Sequence, residues 1–361
     1  MKASLSLVDT GSPADRREPV ARATSDARTE WADIAKAISI LLIVVAHAAV
    51  DVASVGADST VMSGFRTMLT PVRIPMFFLI SGIFAAKIFT GPTQRLFDRV
   101  ADLFKVYVLW GVITHAFRIT FFEQYYEANA LTGHEGLLIE LLLPTPFPWF
   151  LWALALFNIM AGVGTRYAPR TTLAVAVAFK VGIDLIPYDL PGTHTVGGVG
   201  FYSNFLFFVL PFYFPAIREQ IERLPALRTA SLGGMAYCGI LFIENSFVGQ
   251  WIHPILSVTA TAVGITALLC IARMMEANRP IKALMVKVGQ KTLPIYVIHS
   301  MISMSLALMA STLGLYGNAA VNVLIILAIT ALSVATSMYA ERIMPKAMRD
   351  LLFIPRRPRA A

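Results

Sequence analysis

Long apolar stretches separated by short polar segments make up most of the sequence from Trp31 onward. A stretch of about 20 mostly apolar residues is long enough to cross a bilayer as an α-helix. The pattern therefore predicts an all-α polytopic integral membrane protein with about ten transmembrane helices. The predicted spans are 32–52, 66–89, 98–121, 149–168, 171–187, 200–217, 229–247, 253–274, 291–312 and 319–340.

The positively charged residues are concentrated in alternate loops, and this predicts the orientation of the chain. With the N-terminus in the cytoplasm, 24 of the 30 lysines and arginines lie in or next to cytoplasmic segments. Such a bias is typical of loops that stay on the cytoplasmic side, so we expect both termini there. The predicted division is a disordered tail over 1–28, a transmembrane domain over 29–340 and a basic cytoplasmic tail over 341–361.

Composition supports a membrane protein and argues against a nucleic-acid-binding protein and against a protein built on disulfides or a cysteine metal site. Hydrophobic residues make up 57% of the chain and charged residues 14%, whereas an ordinary soluble domain has about 25% charged residues. The net charge of +8 is explained by the loop bias, so no nucleic-acid partner is predicted and membrane lipids are the expected surroundings. Cys238 and Cys270 both lie in apolar stretches, which suggests neither a disulfide framework nor a metal site.

The first predicted span carries two ionisable groups, Lys36 and His47, inside an otherwise apolar stretch. An ionisable residue in a membrane span is costly and is a hypothesis about function by default. The two residues are eleven positions apart, which on a helix is about three turns and about 16 Å, so they share one face. Lys36 then lies near the cytoplasmic surface and His47 beyond mid-depth, and Asp33 is close enough to Lys36 to steady its ammonium group.

Arg73 is a third buried charge, seven residues into the second span. Arginine keeps its charge, so it needs a carboxylate, carbonyl groups or a water-filled cavity. We expect it to line a cavity, and the alternative is a structural ion pair with Glu244 or Asp184. Lys180 and Asp184 are four residues apart and are expected to neutralise each other. Glu244 and Asn245 could bind sugar hydroxyls or bridge two helices.

Three segments carry a resemblance to a known family. The segment Trp31 to His47, WADIAKAISILLIVVAH, resembles the first span of the membrane acyltransferase-3 family, in which Arg or Lys is followed by ten residues and then His. The segments 72–82, VRIPMFFLISG, and 288–299, VGQKTLPIYVIH, are similar to its second-span motif and to the start of a late span. Ala37 and Ile74 stand where the family usually has Gly and Met. The detail resembles the branch of fucose 4-O-acetylase-like and glucan-modifying proteins.

The resemblance implies O-acylation of a sugar or glycolipid hydroxyl outside the cytoplasm, with acyl-CoA as the co-substrate and no bound cofactor or metal. Acetyl-CoA is the expected donor and succinyl-CoA the alternative, and the expected location is a bacterial-type cytoplasmic (inner) membrane. His47 would act as general base and Lys36 would serve the donor. Tyr296 and His299 lie near the cytoplasmic end of their span, where they could contact the donor or cap a helix. The residues expected to bind the donor or line the cavity are Asp33, Arg73, Arg95, Arg99, Tyr296 and His299.

Two other classes of protein fit part of this pattern. A transporter or flippase of a sugar, lipid or polysaccharide precursor would also place charged residues inside its spans. No pair of interrupted spans at matching positions supports that class. A non-catalytic membrane partner of a polysaccharide-exporting machine is the third alternative. Hydrolysis or exchange of acyl-CoA by the purified protein without a gradient would distinguish an enzyme from both.

Overall fold

The structure, a computed structural model, describes residues 17–57, 60–89, 91–121, 137–138, 141–142, 148–186, 196–248 and 250–354, and these contain helices and no strand. The helices are α1 Arg17–Ser54, α2 Thr60–Phe89, α3 Thr93–Phe121, α4 Trp149–Tyr167, α5 Pro169–Leu185, α6 Val196–Tyr213, α7 Ile217–Arg223, α8 Ala226–Glu244, α9 His253–Glu276, α10 Arg279–Gln290, α11 Thr292–Thr312, α12 Ala319–Ile343 and α13 Lys346–Leu352. A short 3₁₀ turn, Asn245–Phe247, follows α8.

Each predicted span coincides with a helix, and most of these helices have the length and composition of a membrane span. Within the described residues, eight are long and apolar enough to cross a bilayer: α1 from Glu30 onward, α2, α3, α4, α8, α9, α11 and α12. The remaining two predicted spans fall on the shorter helices α5 and α6. The chain is therefore a multi-pass membrane protein, while the count of ten and the cytoplasmic position of both termini stay predictions.

The division into tails and membrane domain also stays a prediction, but the helix bounds differ from it at both ends. α1 begins at Arg17, inside the segment predicted as a disordered tail. At the other end, the segment after α12 is packed against α3. Lys105 Nζ donates hydrogen bonds to the carbonyl oxygens of Asp350 and Phe353, at 2.9 and 3.1 Å, and Trp110 donates one to the carbonyl of Leu352. This C-terminal segment is therefore part of the packed structure.

α1 lies at the centre of the helix bundle and contacts α2, α9, α10, α11 and α12. Most of its apolar side chains from Trp31 onward are buried, with Ile34, Ile40, Val44 and Val52 fully enclosed, while Val50 is exposed. A helix that is apolar on most of its surface is best accommodated in the interior of a bundle, because little of it requires solvent. The polar groups of α1 are consequently surrounded by other helices and are shielded from the lipid.

Two glycines from the resembling segments allow their helices to approach closely. Gly289 of α10 lies directly against the backbone carbonyl of Asp33 in α1, and Gly82 of α2 lies against the backbone carbonyl of Phe208 in α6. A Cβ atom at either position would overlap that carbonyl group. Small residues allow helix backbones to come this close in a membrane protein. Gly289 in this way sets the distance of α10 from the turn of α1 that carries Lys36.

We predict that Gly289→Ala destabilises the protein by about 1–3 kcal/mol, because the added methyl group must push two backbones apart. Gly239→Ala in α8 is the matched control, since a Cβ atom there meets nothing within 4 Å. Alanine is also the better helix former by about 1 kcal/mol, so the control should be neutral or slightly stabilising. Thermal unfolding of the detergent-purified variants measures both, and equal melting temperatures would contradict the close contact.

Candidate active site

A cavity of about 400 Å³ lies between α1, α2, α3, α4 and α11, and we call it the central cavity. Most of its wall is apolar, formed by side chains such as Ile40, Phe77 and Leu154. A few polar groups interrupt this wall, which is the usual make-up of a small-molecule site. The polar or ionisable residues that line it are Lys36, His47, Ser81, Arg99, Trp149, Asn158, Thr292 and Tyr296.

Lys36 is held in place at one part of this cavity by its own helix and by α2. Its Nζ lies 2.6 Å from Oδ1 of Asp33, so the ion pair expected from their spacing is present. The same Nζ lies 5.0 Å from the centroid of the Phe84 ring, which adds a cation–π contact. Gln290 donates a hydrogen bond of 3.4 Å to the other carboxylate oxygen of Asp33. Asp33 therefore links the basic group of α1 to the end of α10.

His47 lies beside His299 of α11, with ring centroids 5.2 Å apart in an edge-on arrangement. His299 is fully buried, and its Nδ1 lies 2.9 Å from the carbonyl oxygen of Ile295 and 2.8 Å from that of Tyr296. Because carbonyl oxygens can only accept, Nδ1 carries the proton. In the neutral ring Nε2 is then the unprotonated nitrogen.

The structure places His299 beside His47, and its expected role in contacting the donor or capping a helix stays a prediction. α11 packs along α1, and this brings a residue from the late part of the chain next to His47. His47, by contrast, lines the central cavity as expected. One relevant signal is present in the sequence, the family-like segment 288–299, but no local pattern pairs two helices that are about 250 residues apart.

Tyr296 connects α11 to the first turn of α4. Its hydroxyl accepts a hydrogen bond of 3.3 Å from the backbone N–H of Phe150, and the two rings are 5.5 Å apart. Its ring also lies 6.2 Å from the ring of His299. Tyr296 thus forms the wall between the start of α4 and the histidine pair, and it lines the cavity as predicted.

The two arginines at the start of α3 have different surroundings. Arg99 lines the central cavity, whereas Arg95, one turn earlier, is exposed and is not part of the wall. Ile354 lines the cavity as well, because the hydrogen bonds of Lys105 and Trp110 hold the preceding residues against α3. This C-terminal part of the wall was not predicted from the sequence. Lys105 was the one available signal, because a basic residue within a span needs a partner. Its partners are the backbone carbonyl oxygens of Asp350 and Phe353.

Arg73 lines a second cavity, of about 1140 Å³, which we call the α2–α8 cavity. Its charged or titratable lining residues within the described part of the chain are Arg66, Arg73, Glu244 and His253. Ile74, the residue after Arg73, lines the central cavity together with His47, and Ala53 of α1 lines the α2–α8 cavity six residues after His47. The two cavities therefore lie along adjacent parts of α1 and α2.

Neither carboxylate considered as a partner for Arg73 is paired with it. Asp184 Oδ2 lies 2.7 Å from Nζ of Lys180, which confirms the neutralising pair expected from their spacing. Glu244 Oε1 lies 3.3 Å from Nε2 of His253. The Nε and Nη1 atoms of Arg73 are buried and have no hydrogen-bond partner among the described residues. The alternative of a structural ion pair with Glu244 or Asp184 is thus wrong, and Arg73 lines a cavity.

Comparison with known families now identifies the chain. A family model described as an acyltransferase domain, Acyl_transf_3, matches residues 29–342, nearly the whole described helix bundle. The chain belongs to the acyltransferase-3 family. The protein is therefore a multi-pass membrane acyltransferase, and the resemblance of its three segments to that family is confirmed. No curated protein and no solved structure matches the chain significantly.

We predict that His299→Ala lowers kcat for acyl transfer at least about tenfold, because His47 loses the ring that fixes its orientation. The KM for the acyl donor should change little, since His299 does not line the central cavity. His299→Asn is the matched control, because its amide N–H can take over the bond to the backbone carbonyls and should restore part of the rate. Steady-state kinetics at equal amounts of folded protein measure this, and an unchanged kcat in His299→Ala would contradict it.

Proposed function

We propose that the protein transfers an acyl group from cytoplasmic acyl-CoA to a hydroxyl of a sugar or envelope polysaccharide presented from the outer side. Acetyl is the proposed group and succinyl the alternative, as in the family branch that the sequence resembles. The observation that carries the proposal is that Lys36 and His47 line one continuous cavity at the centre of the bundle. The family match supplies the reaction class.

The donor end of the central cavity is the end at Lys36 and Arg99. Coenzyme A carries its negative charge on phosphate groups, and its thioester is at the end of a long, uncharged arm. Two cations at one end of a mostly apolar cavity suit such a molecule, because they bind the phosphates while the wall accommodates the arm. Lys36 and His47 are about 16 Å apart along the helix axis, which separates the phosphates from the thioester.

The chemistry proposed for His47 is general base catalysis. Its unprotonated ring nitrogen takes the proton of the sugar hydroxyl as the hydroxyl oxygen attacks the thioester carbonyl carbon. The carbon–sulfur bond then breaks, and the thiolate of coenzyme A receives the proton from the imidazolium ring. The products are the sugar ester and free coenzyme A. A positioned base of this kind contributes about 10² to 10⁴ in rate.

The described structure offers no observation that favours transport over acyl transfer. Of the charges that could have marked a substrate path, Lys180 and Asp184 form an ion pair, and Glu244 contacts His253 at 3.3 Å. Their arrangement is that of a structural network between α5, α8 and α9. Arg73 has no ion-pair partner among the described residues, and its place in a cavity next to the one that His47 lines suits an acceptor that approaches the base from the outer side.

We predict that His47→Ala lowers acyl transfer at least about 100-fold while the protein stays folded and inserted in the membrane. Ile43→Ala is the matched control, because Ile43 lines the same cavity one turn away on α1 and carries no titratable group. It should lose far less activity. The assay is acyl transfer at equal amounts of folded protein, and near-normal transfer by His47→Ala would exclude the histidine as the base.

We predict that Lys36→Ala raises the KM for acyl-CoA more than the KM for the acceptor, whereas Lys36→Arg keeps most of the activity because charge and reach survive. Arg99→Ala should resemble Lys36→Ala, since both residues line the central cavity. Arg95→Ala provides the matched comparison, because Arg95 is exposed beside the cavity. The assay is the initial rate against the concentration of donor and of acceptor. A larger rise in the KM for the acceptor would show that Lys36 does not bind the donor.

A further inference from the structure

The α2–α8 cavity carries a surplus of positive charge. Arg66 and Arg73 are seven residues apart on α2, which is about two turns, so they share one face of the helix. Glu244 is the acidic residue among the described lining, and it is paired with His253. The described wall therefore has a net charge of at least one positive unit, even if His253 is neutral.

Two buried nitrogen atoms of Arg73 need hydrogen-bond partners that the described residues do not supply. A buried polar group without a hydrogen bond costs about 1–3 kcal/mol, and more if the group is charged. The Nε and Nη1 atoms of Arg73 are in this situation among the described residues. An anionic group with two oxygen atoms is the complement that the guanidinium fork binds best.

The other polar groups of this cavity fit a sugar. Asn245 is exposed in the wall and has both a donor and an acceptor, which suits hydroxyl groups. The hydroxyls of Thr67 and Thr70, by contrast, already donate to carbonyl oxygens of α2, so the arginines are the main free donors. Ile74, the residue after Arg73, lines the central cavity together with His47, and Ala53 of α1 lines the α2–α8 cavity six residues after His47, so a ligand held here lies close to the proposed base.

We propose that the α2–α8 cavity is the acceptor subsite and that it selects an acidic sugar, whose carboxylate binds Arg73 and Arg66. The assignment as an acceptor subsite rests on the proposed function, whereas the binding of an acidic sugar can be measured without any acyl transfer. An acidic sugar anchored in this way would present a neighbouring hydroxyl toward His47. The enzyme would then acylate acidic glycans in preference to neutral ones of the same shape.

A native thiol provides the first test. Cys238 lines the α2–α8 cavity and is free and exposed, whereas Cys270 is buried. In a Cys270→Ser background, the rates at which an anionic and a cationic methanethiosulfonate of similar size modify Cys238 report the local potential. The reference is Thr312→Cys in the double variant Cys238→Ser, Cys270→Ser, because Thr312 is exposed at the end of α11 outside this cavity.

The expected result is an anionic-to-cationic rate ratio at Cys238 at least about fivefold above the reference in detergent at low salt. Arg73→Gln and Arg66→Gln should each lower that ratio. Arg166→Gln is the matched control, because Arg166 contacts Thr93 and does not line the cavity, and it should leave the ratio unchanged. The rate ratio reports the electrostatic potential that all charges near the Cys238 thiol produce together. A ratio at or below the reference, or one that the cavity variants do not change, would overturn the proposal.

Protection of Cys238 by ligands is the second test and identifies the source of the anion. Methyl glucuronide should slow the modification of Cys238, and methyl glucoside of the same shape should slow it far less. Protection by phosphatidylglycerol without protection by the glucuronide would make the cavity a lipid site and overturn the proposal. Equal acylation of acidic and neutral sugars by an enzyme that His47→Ala inactivates would also overturn it, while leaving the proposed function intact.

Discussion

The cost of placing charged groups in hydrocarbon governs the architecture of this protein. Lys36 and His47 lie in a helix that is otherwise apolar enough to be inserted in the membrane, and lipid cannot solvate either group. The structure meets this cost by enclosing α1 within five other helices. Asp33 neutralises Lys36 directly, and His47 packs against His299. The central cavity follows from this arrangement, because polar groups held away from lipid need a polar or water-accessible space to face.

The basic end of the cavity is positioned by backbone contacts as well as by charges. Gly289 allows α10 to reach the carbonyl of Asp33, and Gln290 then bonds the carboxylate that holds Lys36. A few tenths of an ångström matter for such a pair, because the strength of an ion pair and its hydrogen bonds depends steeply on distance and geometry. The first and last of the family-like segments are thereby joined into one unit.

Two cavities with different linings lie along neighbouring parts of α1 and α2. The central cavity is mostly apolar with cations at one end, whereas the α2–α8 cavity is larger and is lined by two arginines and one ion pair. Under the proposed function, these cavities would be the separate approaches of donor and acceptor to His47. Arg73 lines the second cavity, while Ile74 beside it lines the first together with His47.

Local features of the sequence determined the class of fold and the shared helix face of Lys36 and His47 in α1. Apolar length predicted the helices, and the spacing of eleven residues placed Lys36 and His47 on one face, because a helix has a regular period. The pairs Asp33 with Lys36 and Lys180 with Asp184 were also predictable, since residues three or four apart on a helix are neighbours. The tertiary structure alone decided which faces of different helices meet. It placed His299 beside His47, directed Arg73 into a second cavity and brought Ile354 into the wall of the first. These contacts join segments that are far apart in the chain, and they depend on side-chain packing between helices, which no local pattern encodes.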